Sequence, residues 1–468
     1  MFDRKLVFRI GIPFACCVLF FGVQSWIIAK DKNGDPRVII ADGGDRTLPA
    51  AIAQALKTNT SPQKTYYVAW KLIKDQYYKQ DYNEQNWTRW EHMFDGKLKT
   101  SDDSHKAIET MLASLADPYT RFLDKDAFAD EKDQIDAHLY GVGMQLGWRA
   151  EDKKIVVIAP IEGTPAALAG MTGGDEILEV DNKAVSGQSL DAVVKQIRGP
   201  IDTKVSITFL RKNEKKKVTL QRAEIPVKAI GTSETLPGNI GYIRLESFIS
   251  KNGYDEMKRA LESKRDCDGI VLDLRYNPGG LLTNAVEIAQ LFIDKGIIVS
   301  TVDAEGYKQS QVAHGTPICT QPLVVLINGY SASASEILSG ALRDNGRAKL
   351  VGQKSFGKGL VQAINRLDDG SGINITIAKY LTPNDTDINK TGIIPDFKVD
   401  LKDDDIKNGK GPWWFDAKMK NFKKGPTDGN DIQLNKAIEV IKDEIAKDKT
   451  RQTASQPGAS PATAVGKN

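Results

Sequence analysis

Three serines, Ser331, Ser333 and Ser335, alternate with alanines ahead of a helical pattern, and a lone lysine, Lys358, follows between Gly357 and Gly359. Hydroxyls at the start of a helix suit nucleophilic chemistry, because helix N-terminal N–H groups can face a developing oxyanion. The four histidines are His92, His105, His138 and His314, and none lies in this stretch. A serine nucleophile here therefore needs another base. A lysine can serve only when uncharged. Its ordinary pKa of about 10.4 must fall to about 7 to 8, which takes roughly 3 to 4.5 kcal/mol of selective destabilisation of the ammonium. Gln362, four positions on, is neutral and can accept a hydrogen bond from the amine, whereas a carboxylate there would stabilise the charge. Contact requires a bend, since four strand residues span about 13 Å, and Gly357 and Gly359 permit one. Each feature also has a plain reading: the serines as competing helix caps, the lysine as a surface residue of a glycine turn.

Two rival chemistries use the same letters. Asp344 returns to the Ser333 face of the helix after eleven residues, but about 16 Å further along the axis; it reads as structural, not as the acid of a triad. "GQKSFGKG", 352–359, fits the G-x-x-x-x-G-K of a phosphate loop, yet Gly359 stands where a Ser or Thr would bind magnesium, and no obvious helix follows.

These residues must be held by elements. "PLVVLING" reads as a strand ending in a turn, which places the serines at a strand-to-helix junction, with Ala334, Ile337, Leu338, Ala341 and Leu342 as the buried helix face. "GIVLDLR" is a strand buried on both faces, and strands alternate with helices from about Ile225 to Leu401, which predicts a mostly parallel sheet. Between Tyr140 and Ala223 the texture is short strands and turns. There Thr164 caps a short helix that starts at Pro165 and ends at Gly170, and "SLDAVVKQIRG" is a second helix. From Tyr66 to about Ala137 helices dominate, with Val68, Leu72 and Ile73 on one face and Ile108, Met111, Leu112 and Leu115 on another. Residues 431–447 form a last amphipathic helix, and the Ser-, Pro-, Ala- and Thr-rich tail is expected to be disordered.

The segment "SASASEILSGALRDNGRAKLVGQKSFGKGLVQ" resembles the catalytic segment of the carboxyl-terminal processing peptidases, or tail-specific proteases. "DPYTRFL" (117–123), "DGIVLDLRYNPGGLL" (268–282), "YLTP" (380–383) and "GIIPD" (392–396) resemble that family's other motifs, in its order. The resemblance covers roughly residues 65–447. It implies an α/β multidomain protein: a crotonase-like α/β peptidase core with an inserted PDZ domain and an N-terminal helical domain. The expected boundaries are 61–137 for the helical domain, 138–224 for the PDZ domain, 225–448 for the core with its C-terminal helix, and 449–468 for the tail. The resemblance implies a serine endopeptidase with Ser333 as nucleophile, Lys358 as general base and Gln362 orienting it. The backbone N–H groups of Ala334 and Gly279 match the oxyanion hole. Tyr140, Gly141, Val142, Gly143 and Met144 match the PDZ carboxylate-binding loop and the strand after it, which fits backbone capture of a chain end. Arg198 matches an arginine that links ligand binding to the active site, although Asp202 stands where the family has glycine. Protein C-terminal tails are the implied substrates, with no metal or cofactor. An inactive PDZ scaffold is the main alternative, and a nucleotide-binding protein using residues 352–358 the second.

The whole chain sets the frame. At 468 residues it is long enough for about three domains. Its 64 basic and 61 acidic residues leave a net charge of +3, which gives no support for a nucleic-acid partner; residues 215–217, all lysine, read as a solvated hairpin edge. Arg4, Lys5 and Arg9 precede an apolar run at 10–29, long enough to cross a bilayer. This predicts export, with the segment as a membrane anchor or a cleaved signal peptide, a linker over 30–60, and a periplasmic or other extracytoplasmic location for the bulk. Cys267 and Cys319 each precede a predicted buried strand, so a disulfide is an open expectation if those strands are neighbours. Homo-oligomerisation stays open.

Overall fold

A computed structural model describes residues 61–455 apart from 136–138, 150–153, 162, 403, 406–407, 413–425 and 428, together with three short strands near the N-terminus. Those strands, Trp26–Lys30, Pro36–Ile40 and Asp45–Thr47, pair in an antiparallel sheet, so the end of the expected anchor, 26–29, and part of the expected linker are strand. Most of the apolar run expected as an anchor, and Cys16 and Cys17 within it, lie outside the described residues. Among the described residues no helix is long and apolar enough to cross a membrane.

The chain divides into two compact units. One comprises residues up to 132 with 300–310 and 359–381. Its helices Pro62–Gln76 and Ser101–Ala113 share a core with the hairpin Leu360–Arg366/Gly372–Leu381. Tyr66, Ala69, Trp70 and Ile73 form the buried face of the first helix, so the aromatic residues displace Val68, which is only half-buried. Ile108, Met111 and Leu112 are buried as the periodicity predicts. The "DPYTRFL" stretch clasps the hairpin: the Asp117 carboxylate accepts from the hydroxyls of Thr120 (2.8 Å) and Thr376 (2.7 Å).

The other unit comprises 133–299, 311–358 and 382–468. Its first sheet orders Glu214–Gln221, Lys204–Arg211, Glu176–Val180, Lys154–Pro160 and Met144–Arg149, all antiparallel. The lysines 215–217 lie on its edge strand, where charge discourages pairing with another chain. The helix Leu190–Ile197 buries Val193 and Ile197 against this sheet's core. Leu139–Gly141 pairs with Ala223–Ile225, closing the module at its two ends.

The second sheet orders Ile230–Leu236, Ile240–Leu245, Gly269–Asp273, Leu323–Ile327, Lys349–Gly352 and Phe397–Lys398; only the first pairing is antiparallel. The strands Gly269–Asp273 and Leu323–Ile327 are wholly buried, as their unbroken apolar runs predict. Crossover helices Gly253–Glu262, Leu282–Gln290 and Ala334–Asp344 connect the parallel strands. Val271, Val324, Leu326 and Val351 pack on the last helix through Leu434, Ala437 and Ile441. That helix, Ile432–Ser455, continues past Thr450, where the disordered tail was expected. In those last turns the hydroxyls of Thr450 and Thr453 bond back to the carbonyls of Ala446 and Lys449. Cys267 and Cys319 precede strands that are indeed neighbours, yet both are buried free thiols. Arg347 donates to the Cys319 carbonyl and Sγ, and burial pushes that thiol up.

Candidate active site

Three adjacent parallel strands, Gly269–Asp273, Leu323–Ile327 and Lys349–Gly352, end side by side. The loops leaving their carboxyl ends carry Gly279, Ser333 and Lys358, the usual location for a site in an open α/β sheet. The sequence expectation placed Ser333 and Lys358 on one segment and Gly279 on another, and the strand order brings their three loops together.

The serine loop separates its three hydroxyls by environment. Ser331 Oγ accepts from Asn328 N (2.9 Å) and donates to the Leu274 carbonyl (2.8 Å). Ser335 Oγ donates to the Asn277 carbonyl (2.8 Å). Both are fully buried and hold the loop to its neighbour. Ser333 is half-buried and differs in its backbone, with φ 54° and ψ −115°. Those angles belong to the first central position of a II′ turn, normally taken by glycine. Ser335 N closes that turn on the Ala332 carbonyl (3.1 Å). Ser333 thus holds a costly backbone conformation at the N-terminus of the helix Ala334–Asp344. Asp344 lies at the far end of that continuous helix, pairing with Arg343 and accepting from Asn384 N, which agrees with its structural reading.

The "NPGG" loop packs onto the serine. Ala332 N donates to the Asn277 carbonyl (3.1 Å). Gly279 has φ +100°, and a methyl there would fall 2.9 Å from Ser333 Cβ, 2.9 Å from Ala334 N and 2.7 Å from the Ala332 carbonyl oxygen. Gly279 and Ala334 are thus in backbone contact. The Gly279 N–H is donated to Asn277 Oδ1 (2.9 Å) in this conformation, so serving an oxyanion requires it to turn away from that oxygen.

Glu336, one turn into the helix, was not singled out in the sequence. It is fully buried, and its carboxylate accepts from Ser333 N (2.8 Å), Lys358 N (2.9 Å), Gly357 N (2.7 Å) and Ser355 Oγ (2.5 Å). The Ser-x-x-Glu spacing of a capping box was the available signal. The same bonds bear on the phosphate-loop alternative. Residues 353–359 form no helix and lead into the strand Leu360–Arg366, and loop N–H groups that would cradle a phosphate are donated to a carboxylate. Lys358 itself is half-buried. The turn before "GIIPD" braces its loop: Lys390 N donates to the Gly357 carbonyl (2.8 Å) and Ser355 N to the Ile393 carbonyl (3.0 Å).

Gln362 belongs to the other compact unit, on the strand Leu360–Arg366 at a bulge between Val361 and Gln362. Its side-chain amide donates to the Tyr119 carbonyl (2.6 Å), which fixes the –NH2 end there because a carbonyl can only accept.

In the antiparallel module, Tyr140 and Gly141 lie on the strand Leu139–Gly141 and Met144 opens the next, Met144–Arg149. Val142 and Gly143 form the turn between them, and Val142 is buried. The Val142 carbonyl accepts from Ala166 N (2.8 Å) and that of Gly143 from Ile161 N (2.9 Å). Thr164 stands at the N-cap of the helix Pro165–Leu168, as expected, but its hydroxyl makes no cap bond and goes instead to the carbonyls of Gly143 (2.9 Å) and Ile161 (2.5 Å). Arg198, at the end of the helix Leu190–Ile197, is exposed, and its Cγ would lie 3.9 Å from a methyl placed on Gly141. Asp202, where the resemblance implied glycine, adopts φ 66°, a left-handed backbone that glycine takes readily and aspartate tolerates.

Comparisons with known proteins identify the family. The sequence profile of peptidase family S41 matches residues 239–399, and that of the PDZ domain matches 156–211. A carboxyl-terminal-processing protease of Synechocystis sp. is 40% identical over 351 residues, covering 73% of this chain and 82% of that protein. A carboxy-terminal-processing protease of Bartonella bacilliformis is 36% identical over 376 residues, covering 74% and 85%. Among solved structures, a photosystem II D1 C-terminal processing protease aligns with a TM-score of 0.52 at 34% identity, covering 73% of this chain and 94% of that one. The chain belongs to the carboxyl-terminal-processing proteases of peptidase family S41 and carries a PDZ domain.

Proposed function

We propose that the protein is an exported serine endopeptidase that binds the C-terminal tails of other proteins in its PDZ domain and cleaves near their ends with a Ser333/Lys358 dyad. The observation that carries this reading is the shared anchor of the two residues: the backbone N–H groups of Ser333 and Lys358 sit on the same oxygen of Glu336.

In this mechanism Ser333 Oγ attacks the scissile carbonyl carbon while its proton passes to the neutral Lys358 Nζ. The tetrahedral oxyanion is held by the Ala334 N–H, at the first position of the helix, where no intrahelical acceptor exists. The Gly279 N–H joins it after leaving Asn277. The C–N bond then breaks as the lysine ammonium gives its proton to the leaving amine. The acyl-enzyme is hydrolysed by water, whose proton the amine takes, and the serine is regenerated. Gln362 is given the orienting role by the match of motifs. Residues 140–144 would hold the terminal carboxylate of the tail on successive N–H groups, the tail adding as a strand.

The test compares cleavage of an unstructured tail by wild type, Ser333→Ala and Lys358→Ala. Loss in both variants is expected, and cleavage by the serine variant would remove the assignment. Amidating the tail's terminal carboxylate should weaken binding; unchanged affinity would favour another entry route. Export rests on Arg4, Lys5 and Arg9 ahead of the apolar run 10–29; recovery of the full chain in the cytoplasmic fraction would refute it. An inactive PDZ scaffold remains the alternative and predicts tail binding without turnover.

A further inference from the structure

We propose that Glu336 is a positioning residue of the dyad, its carboxylate setting how far apart the nucleophile and the base stand. This rests on the Ser333/Lys358 reading and deepens it. Oε2 accepts both Ser333 N (2.8 Å) and Lys358 N (2.9 Å), so the two backbone nitrogens lie within about 6 Å of each other. Oε1 accepts Ser355 Oγ and Gly357 N (2.7 Å), which ties the rest of the lysine loop to the same group. Ser355 Oγ is in turn held by Ile393 N (2.6 Å), so its proton is the one directed at Glu336. All four partners donate, which makes Glu336 an acceptor at every bond.

The consequence is mechanical. The serine sits on one loop and the lysine on the next, with no direct chain connection shorter than the helix and strand between them. A fully buried carboxylate cannot release either loop without losing charge-assisted bonds that are strong in a low-dielectric interior. It also holds the N–H of a residue whose own backbone angles are unfavourable, so the strained turn at Ser333 and the lysine loop are secured by one group. Its contacts are to backbone and to Ser355, and its effect on the reaction runs through Ser333 and Lys358.

Glu336→Gln in the full chain tests this. The amide keeps the volume but replaces one oxygen with –NH2, so whichever way it turns, two donors face a donor. A displacement of about 1 Å between reacting groups costs on the order of a hundredfold in rate. The expected result is a kcat on an unstructured peptide tail about a hundredfold lower, with KM within about threefold of wild type. Ser355→Ala removes one donor and leaves the carboxylate, and should lower kcat about tenfold, again with little change in KM. A folded Glu336→Gln enzyme with kcat within threefold of wild type overturns the proposal. So does a loss of rate that only follows the folded fraction measured by circular dichroism. If Glu336→Gln does not fold, Ser355→Ala decides, and an unchanged kcat there overturns the role. Ser333→Ala separates the two readings: its retained activity sinks the dyad, whereas an inactive Ser333→Ala beside a wild-type Glu336→Gln sinks the positioning role alone.

Discussion

Ser333 occupies a conformation that costs stability. A non-glycine residue in a sparsely populated backbone region costs about 1–3 kcal/mol, and such sites gather where chemistry is done. The φ of 54° at Ser333 falls in that class. Ser333→Gly should therefore be more stable than Ser333→Ala by about 1 kcal/mol, read as a higher Tm, although both lack the hydroxyl. Equal melting would mean that the turn relaxes when the serine is absent. Gly279 is the complementary case. An added Cβ would meet backbone atoms 2.7 and 2.9 Å away, which no side-chain rotation can relieve. Gly279→Ala should abolish cleavage and lower Tm, while a fully active alanine variant would show that the two loops are free to part.

Loops and hairpins show how the elements hold these residues. The PDZ turn is built around a close approach: a methyl on Gly143, at φ +72°, would lie 2.3 Å from Thr164 Cβ. Gly143→Ala should abolish the proposed binding of peptide tails, checked by titrating a labelled C-terminal peptide; unchanged affinity would place the tail elsewhere. In the helical unit, His105 on Ser101–Ala113 bonds Asp369 (2.7 Å) in the turn joining Leu360–Arg366 to Gly372–Leu381. Burial works against the Asp369 charge, but bonds from His105 and Ser371 outweigh it and hold the carboxyl below its usual range. A depressed carboxyl stabilises the fold above its unfolded value, about pH 4, and that contribution is lost as pH falls through the folded value. Asp369→Asn should then melt earlier than wild type at neutral pH, with the gap closing below about pH 4. A gap that persists at acid pH would assign the effect to shape, not charge.

Across the sheet-and-helix core, one buried ion network joins distant parts of the chain. Arg275, just after the strand Gly269–Asp273, bonds Asp273 and, from the start of the last helix, Asp431 (2.8 Å) and Gln433 (3.1 Å). Burial opposes the guanidinium charge, yet the two carboxylates outweigh it and hold Arg275 charged. Removing the arginine alone strands two buried carboxylates, a loss of about 3–5 kcal/mol. Arg275→Met should therefore cut stability by that order in denaturant melts. A loss below 1 kcal/mol would mean that the last helix is held by its apolar face, Leu434, Ala437 and Ile441, alone.

Much of this is legible in the sequence. Buried strands such as "GIVLD" and the helix after the serines follow from unbroken or 3.6-residue apolar patterns, because burial on two faces or one face imposes those periods directly on the chain. The motif order pointed to the family, and local chemistry marked Asp344 as out of reach of Ser333. Other features depend on partners far away in sequence. Val68 gave way to Tyr66 and Trp70 because a later hairpin completes their core. Thr164 keeps the N-cap position, but its hydroxyl turns to the Gly143 carbonyl because the PDZ turn folds back onto it. Cys267 and Cys319 sit before neighbouring strands and still remain thiols, since strand adjacency alone does not bring two sulfurs into bonding geometry. The resemblance singled out Ser333, but the different environments of Ser331, Ser333 and Ser335, and the bonds of Glu336, required the strand order. Alternating residues in one short segment look alike until neighbouring loops consume two of the hydroxyls and a single carboxylate gathers the backbone of the third with that of Lys358.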